Sequence, residues 1–64
     1  SVVKSKPIII EDNVWIGFDS VILAGVTVGE GSIIGARSVV RHNVEPWTVV
    51  AGNPAVVIKR LRDE

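Results

Sequence analysis

Blocks of six residues counted from Ile10 read IEDNVW, IGFDSV, ILAGVT, VGEGSI, IGARSV and VRHNVE, and Pro46 ends the series. The first place is always Ile or Val (Ile10, Ile16, Ile22, Val28, Ile34, Val40), and the fifth is always Val or Ser (Val14, Ser20, Val26, Ser32, Ser38, Val44). A step of six matches neither the 3.6-residue period of a helix nor the bare alternation of a strand. The fifth residue of one block, however, stands two before the first residue of the next. Val14 with Ile16, or Ser38 with Val40, therefore point to one side of an extended segment. Each block predicts one short strand. Asp12-Asn13, Gly17 and Asp19, Gly25, Gly29 and Gly31, Gly35 and Asn43 fall between the strands as turn formers, and this punctuation excludes long helices.

Strands so short and so regularly interrupted predict a solenoid, in which each unit buries its inner face by stacking on its neighbours. With three units to a triangular coil, residues 18 apart stack: Ile10 over Val28, Ile16 over Ile34, Ile22 over Val40, and Ser20 over Ser38. At a strand spacing of about 4.8 Å, two such coils form a slab roughly 10 Å high. The outward residues pair as Trp15 over Ile33, Val21 over Val39 and Thr27 over Glu45, so two of the three outer faces are apolar. Stacked apolar pairs on adjacent faces make a patch, and such patches mark an interface or a covered surface. The organisation expected is one β-helical domain: a lead-in over 1–9, six repeat units over 10–45, and over 46–64 an extended tail that folds back on the outer wall.

Composition adjusts this picture in three ways. A 64-residue chain buries only about 60% of the surface its unfolded form exposes, and without Cys or Met neither a disulfide nor a Cys-ligated zinc makes up the deficit. Association with other copies is the expected remedy. Seven basic residues balance seven acidic ones, which argues against a general affinity for nucleic acid. No apolar run has the length of a membrane span and no leader pattern is present, so the expected location is cytoplasmic. The abrupt start at Ser1, without Met, suggests a piece of a longer chain.

Three stretches, "PIIIEDNVWIG" (7–17), "GVTVGEGSIIGARSVV" (25–40) and "PWTVVAGNPAVVIK" (46–59), resemble the hexapeptide-repeat acyltransferases, in particular the ends of the maltose, galactoside and Nod-factor O-acetyltransferases. The pairing of GARSVV with PWTVVAGNPA is similar to the colanic-acid-type polysaccharide O-acetyltransferases. The resemblance covers about residues 7 to 59. It implies an all-β fold, a left-handed parallel β-helix, whose handedness the spacing alone does not indicate. It further implies a homotrimer with acetyl-CoA, the acyl donor, in the cleft between neighbouring helices, no required metal, and a sugar or polysaccharide-precursor hydroxyl as acceptor.

By position, Trp15 and Phe18 resemble residues beside the thioester arm, Ala36 one whose backbone meets pantetheine, and Arg41, His42 and Lys59 residues near the nucleotide end. Phosphates call for cations, and a pantetheine arm for a narrow groove such as Gly35-Ala36 offers. Two departures matter. The place of His42 more often holds Lys, and a neutral His is a poorer phosphate partner. At Val56 several relatives carry a basic residue, which leaves that role to Lys59, Arg60 or Arg62. Plainer roles compete at each position: Trp15 as an interface anchor, His42 as a loop residue, the charged IKRLRDE run as a solvated tail, and Gly-Asn-Pro-Ala as a turn in which Pro54 keeps Asn53 extended.

The chemistry of acyl transfer is incomplete in these residues. The resemblance implies a catalytic His, the base for the acceptor hydroxyl, upstream of Lys6-Pro7. His42 is the sole histidine and does not match that place, so no catalytic residue is assigned within the chain. Ser20, Ser32 and Ser38 fall on inward positions, which disfavours a serine nucleophile. Two other readings remain: a non-catalytic self-associating β-helix, and a γ-type carbonic anhydrase, for which one His falls short of the three zinc ligands needed.

Overall fold

In the computed structural model, which describes residues 6–62, each block supplies a strand of two residues: β1 (Ile9–Ile10), β2 (Trp15–Ile16), β3 (Val21–Ile22), β4 (Thr27–Val28), β5 (Ile33–Ile34) and β6 (Val39–Val40). Two longer strands follow, β7 (Thr48–Gly52) and β8 (Ala55–Arg60). Residues 1–5 of the expected lead-in and 63–64 of the tail lie outside the described residues. The chain turns between strands by way of a left-handed residue at the fourth place of successive blocks: Asn13, Asp19, Gly25, Gly31 and Arg37, with φ from 58° to 84°. Asn, Asp and Gly tolerate that conformation. Arg37 is held in it with its N–H donating to the Phe18 carbonyl of the coil before, at 2.8 Å.

The strands form three parallel stacks, one per face of a triangular helix. Face A pairs β1 with β4, face B pairs β2 with β5, and face C pairs β3 with β6. Partners stand 18 residues apart, so Ile10 lies over Val28, Trp15 over Ile33, Ile16 over Ile34, Val21 over Val39 and Ile22 over Val40, as expected. Val26, Val28, Ile34, Val40, Val44 and Val50 make the core.

Above the second coil the spacing changes. Val28 bridges Val44 rather than its neighbourhood meeting residues 45 and 46, and Ile33 and Ile34 pair with Val49 and Val50, all 16 apart. The expected stack of Thr27 over Glu45 therefore does not form. The step from Val40 to Val44 has lost two residues relative to every other corner, and Val44 takes an inward strand position. Thr48–Gly52, expected as tail, is a third rung of face B. The chain then reverses at Asn53-Pro54, and β8 runs back antiparallel to β7. It extends the sheet at its end instead of lying on the outer wall.

The serines of the fifth place are bolts between coils. Ser20 Oγ donates to the Gly35 carbonyl at 2.8 Å and accepts from Ser38 N–H at 3.3 Å. Ser32 Oγ donates to the Glu45 carbonyl at 2.8 Å and accepts from Thr48 N–H at 3.2 Å. Ser38 Oγ accepts from Gly52 N–H at 3.0 Å. Ser32 and Ser38 are fully buried, and the Ser32 hydroxyl satisfies the buried Thr48 N–H. Gly17 is needed for a different reason, since a side chain there would overlap the backbone of Ala36 in the coil above.

Replacing Ser32 with Ala strands the buried Thr48 N–H and removes the donor to the Glu45 carbonyl, and is expected to cost about 1–3 kcal/mol. Urea unfolding measures it, as a lower midpoint at unchanged slope. A midpoint equal to that of the unsubstituted chain would show that the hydroxyl is dispensable.

Candidate functional site

The sequence-predicted residues separate into three groups. Trp15 stands outward on face B, and in register with it run Ile33, Val49 and, through the antiparallel pair, Lys59. Paired residues project to the same side of a sheet. Trp15 and Lys59 thus mark the two ends of one outer column, about 14 Å apart at three strand spacings. Trp15 is 76% exposed.

Phe18 and Ala36 occupy the edge between faces B and C, one coil apart, where Gly17 and Ala36 stack directly and Phe18 is 72% exposed. Column and edge adjoin, so Trp15, Phe18, Ala36 and Lys59 share one side of the helix. Arg41 and His42 do not join them. They sit at the opposite end of the face-C strand, on the edge between faces C and A, both exposed. Within one chain the residues expected from sequence thus fall on two different edges.

The Arg41–His42 edge opens onto a pocket of about 500 Å³ at the end of the helix. Among the described residues face C consists of β3 and β6, and the pocket lies beyond β6. Val40, Val44 and Val50 form its floor, Ala55 and Val57 of β8 one wall, and Arg41, His42 and Arg60 its rim. Arg60 was open as a cation from sequence. It is engaged with Glu45 at 2.8 Å. Arg62 is engaged too, its guanidinium lying 3.5 Å from the centre of the Trp47 ring. Lys59 remains the cation on the outer column.

Comparison with known proteins agrees with this geometry. Residues 7–42 match the bacterial transferase hexapeptide model, six repeats. The chain belongs to the bacterial transferase hexapeptide family. A hexapeptide-repeat containing acetyltransferase from Vibrio cholerae, solved in complex with acetyl coenzyme A, superposes with a TM-score of 0.88 at 52% identity, over 91% of this chain and 32% of that one. A galactoside acetyltransferase in complex with coenzyme A gives 0.86 at 48%, over 91% and 29%. A 2,3,4,5-tetrahydropyridine-2,6-dicarboxylate N-acetyltransferase of Staphylococcus aureus is 54% identical over 60 residues, 94% of this chain and 25% of that protein. The chain thus spans a third or less of the length of these relatives. Its fold is the left-handed parallel β-helix that the sequence resemblance implied.

In this hexapeptide-family chain, the Arg60–Glu45 pair at the pocket mouth is exposed on both sides, 54% and 69%. Exposed pairs of this kind contribute little, because water screens them and two long side chains must be ordered. Changing Glu45 to Gln is expected to alter unfolding stability by less than about 0.5 kcal/mol. Thermal unfolding of the two forms compares them, and a large drop would reveal a structural duty for the pair.

Proposed function

We propose that the chain is the acyl-donor-binding end of an acetyl-CoA-dependent O-acetyltransferase, acting as a cytoplasmic homotrimer on a hydroxyl of a sugar or polysaccharide precursor. The observation that carries this is the match to the Vibrio cholerae acetyltransferase solved in complex with acetyl coenzyme A, which is 52% identical to this chain over 91% of this chain's length. Geometry supports it. Trp15, Phe18 and Ala36 lie on one edge and Arg41 and His42 on another, an arrangement that suits a groove completed by a neighbouring chain. A long ligand with an apolar arm and a phosphorylated end suits such a groove.

In this scheme the residues described here bind and orient. Trp15 and Phe18 flank the thioester, the Gly35-Ala36 backbone lets the pantetheine arm approach closely, and Arg41, His42 and Lys59 meet the phosphates. The base that takes the acceptor proton is a histidine outside this sequence, at the place the family resemblance implies. The identified relatives include one that acetylates nitrogen, and the sugar hydroxyl is assigned from the PWTVVAGNPA and GARSVV stretches.

In the full-length protein, replacing Arg41 and Lys59 together with Ala is expected to raise KM for acetyl-CoA by about tenfold or more while kcat falls far less, since phosphate contacts are alike in ground and transition states. Initial rates over a range of acetyl-CoA concentrations test this. An unchanged KM removes both residues from the nucleotide end.

The trimer is tested separately. Trp15→Asp places a charge in a contact that assembly would desolvate, and sedimentation is expected to show weaker association. A wild-type protein that sediments as a folded monomer at high dilution contradicts the shared groove.

A further inference from the structure

We infer that Asn43, which lines the end pocket with its Oδ1 engaged by the Thr27 amide, is a positioning residue for the nucleotide end of the acyl donor, holding Arg41 and His42 over that pocket. This rests on the acetyl-CoA assignment above and extends it to a residue outside the predicted contact set.

The starting point is the shortened corner. The inward residues advance by six from Ile10 through Ile16, Ile22, Val28 and Ile34 to Val40, then by four to Val44, then by six to Val50. With two residues missing, the backbone between Val40 and Val44 has no left-handed turn residue like those at Asn13, Asp19, Gly25, Gly31 and Arg37. It cuts across the corner instead of following the edge beneath it.

That shortcut breaks one regular hydrogen bond. At the start of each earlier strand, an N–H donates to a carbonyl of the coil above: Ile9 to Val26 at 3.0 Å, Trp15 to Ser32 at 3.0 Å, and Val21 to Ser38 at 2.8 Å. In the 16-residue register the carbonyl in line for Thr27 N–H belongs to His42. Thr27 N–H instead donates to Asn43 Oδ1 at 2.9 Å. The side-chain amide has replaced a main-chain carbonyl. The next bonds, Val44 N–H to the Thr27 carbonyl at 2.9 Å and Gly29 N–H to the Val44 carbonyl at 2.8 Å, then return the chain to the ladder.

The consequence lies at Arg41 and His42. Their main chain is released from the coil below while its two ends are fixed, at Val40 by the core and at Asn43 by the Thr27 amide. The two side chains are thereby set on the rim of the pocket beyond β6. An acceptor of the length and direction of Asn43 Oδ1 is required. Ala has none, Gln carries it one methylene too far, and Asp keeps it in place.

The test uses the full-length protein, three variants and three ligands: acetyl-CoA, adenosine 3′,5′-bisphosphate as the isolated nucleotide end, and acetyl-pantetheine, which lacks that end. Asn43→Ala and Asn43→Gln are expected to raise KM for acetyl-CoA and Kd for the bisphosphate by about fivefold, with kcat and the KM for acetyl-pantetheine within about twofold. Exchange of the Thr27 amide hydrogen should quicken in both. Asn43→Asp should restore amide protection and bring both constants to within about twofold of wild type. If Ala does not fold, Gln and Asp decide between the outcomes. The proposal fails if the Thr27 amide opens while nucleotide affinity is unmoved, if Asp is as impaired as Gln, or if acetyl-pantetheine suffers as much as acetyl-CoA. A wild-type protein that binds neither acetyl-CoA nor the bisphosphate removes the acyl-donor assignment and this proposal with it. Wild-type binding with unmoved variants removes this proposal alone.

Discussion

Every repeat strand in this chain is two residues long, and a strand that short holds nothing by itself. What holds it is the coil above or below, through main-chain hydrogen bonds between strands whose paired residues stand 16 or 18 apart in sequence. The same coil-to-coil contact buries the side chains. Ile10 and Ile16, on the first coil, are 41% and 45% exposed, whereas Val28 and Ile34, the equivalent residues one coil later, are 0% and 1% exposed. Nothing in the residue type explains that contrast. A full change of that kind is worth roughly 1.5–3 kcal/mol per branched side chain, so stacking carries most of the stability, as in other one-dimensional repeats.

Stacking of this kind tolerates little change of register, which makes the single shift after Val40 informative. Had the corner kept its full length, face A would have received a residue near Pro46, which lacks an N–H for the ladder. Losing two residues brings Val44 into that place instead and moves Pro46 to the turn, where it packs against Gly29. After the face-B rung β7 the next face in order is C, but the chain reverses after Gly52 and β8 pairs with β7 on face B. The pocket lies beyond β6, beside this hairpin.

Much of the fold was legible because inward places are chemically selective. A branched aliphatic at the first place and a small or branched residue at the fifth describe a tight triangular interior, and the 18-residue stacks follow by counting. The shortened corner was hidden for a specific reason. VRHNVE satisfies the six-residue pattern as well as any true unit, with Val40 in the first place and Val44 in the fifth, although Val44 plays the first-place part of the next coil. Counting cannot separate two valines. The serines were recognised as inward, but their bonds to carbonyls 13 to 15 residues on depend on corner geometry that spacing does not carry.

The candidate site was legible only in pieces. Trp15 and Lys59 are 44 positions apart in sequence and share a column because an antiparallel hairpin follows three parallel rungs, an arrangement no periodicity contains. Arg60 and Arg62, alternatives to Lys59 from sequence, are distinguished by their partners: Glu45 for one and the Trp47 ring for the other. Trp47 itself has positive φ, at 56°, which is unusual for a bulky residue. Its ring lies on Gly31, where any side chain would collide with it, and under Arg62. The glycine of one coil, the tryptophan of the next and Arg62 thus form a single stack at the A–B edge. Among the described residues, Trp15 and Phe18 are exposed on the other side of the helix, with Lys59 at the end of the same outer column.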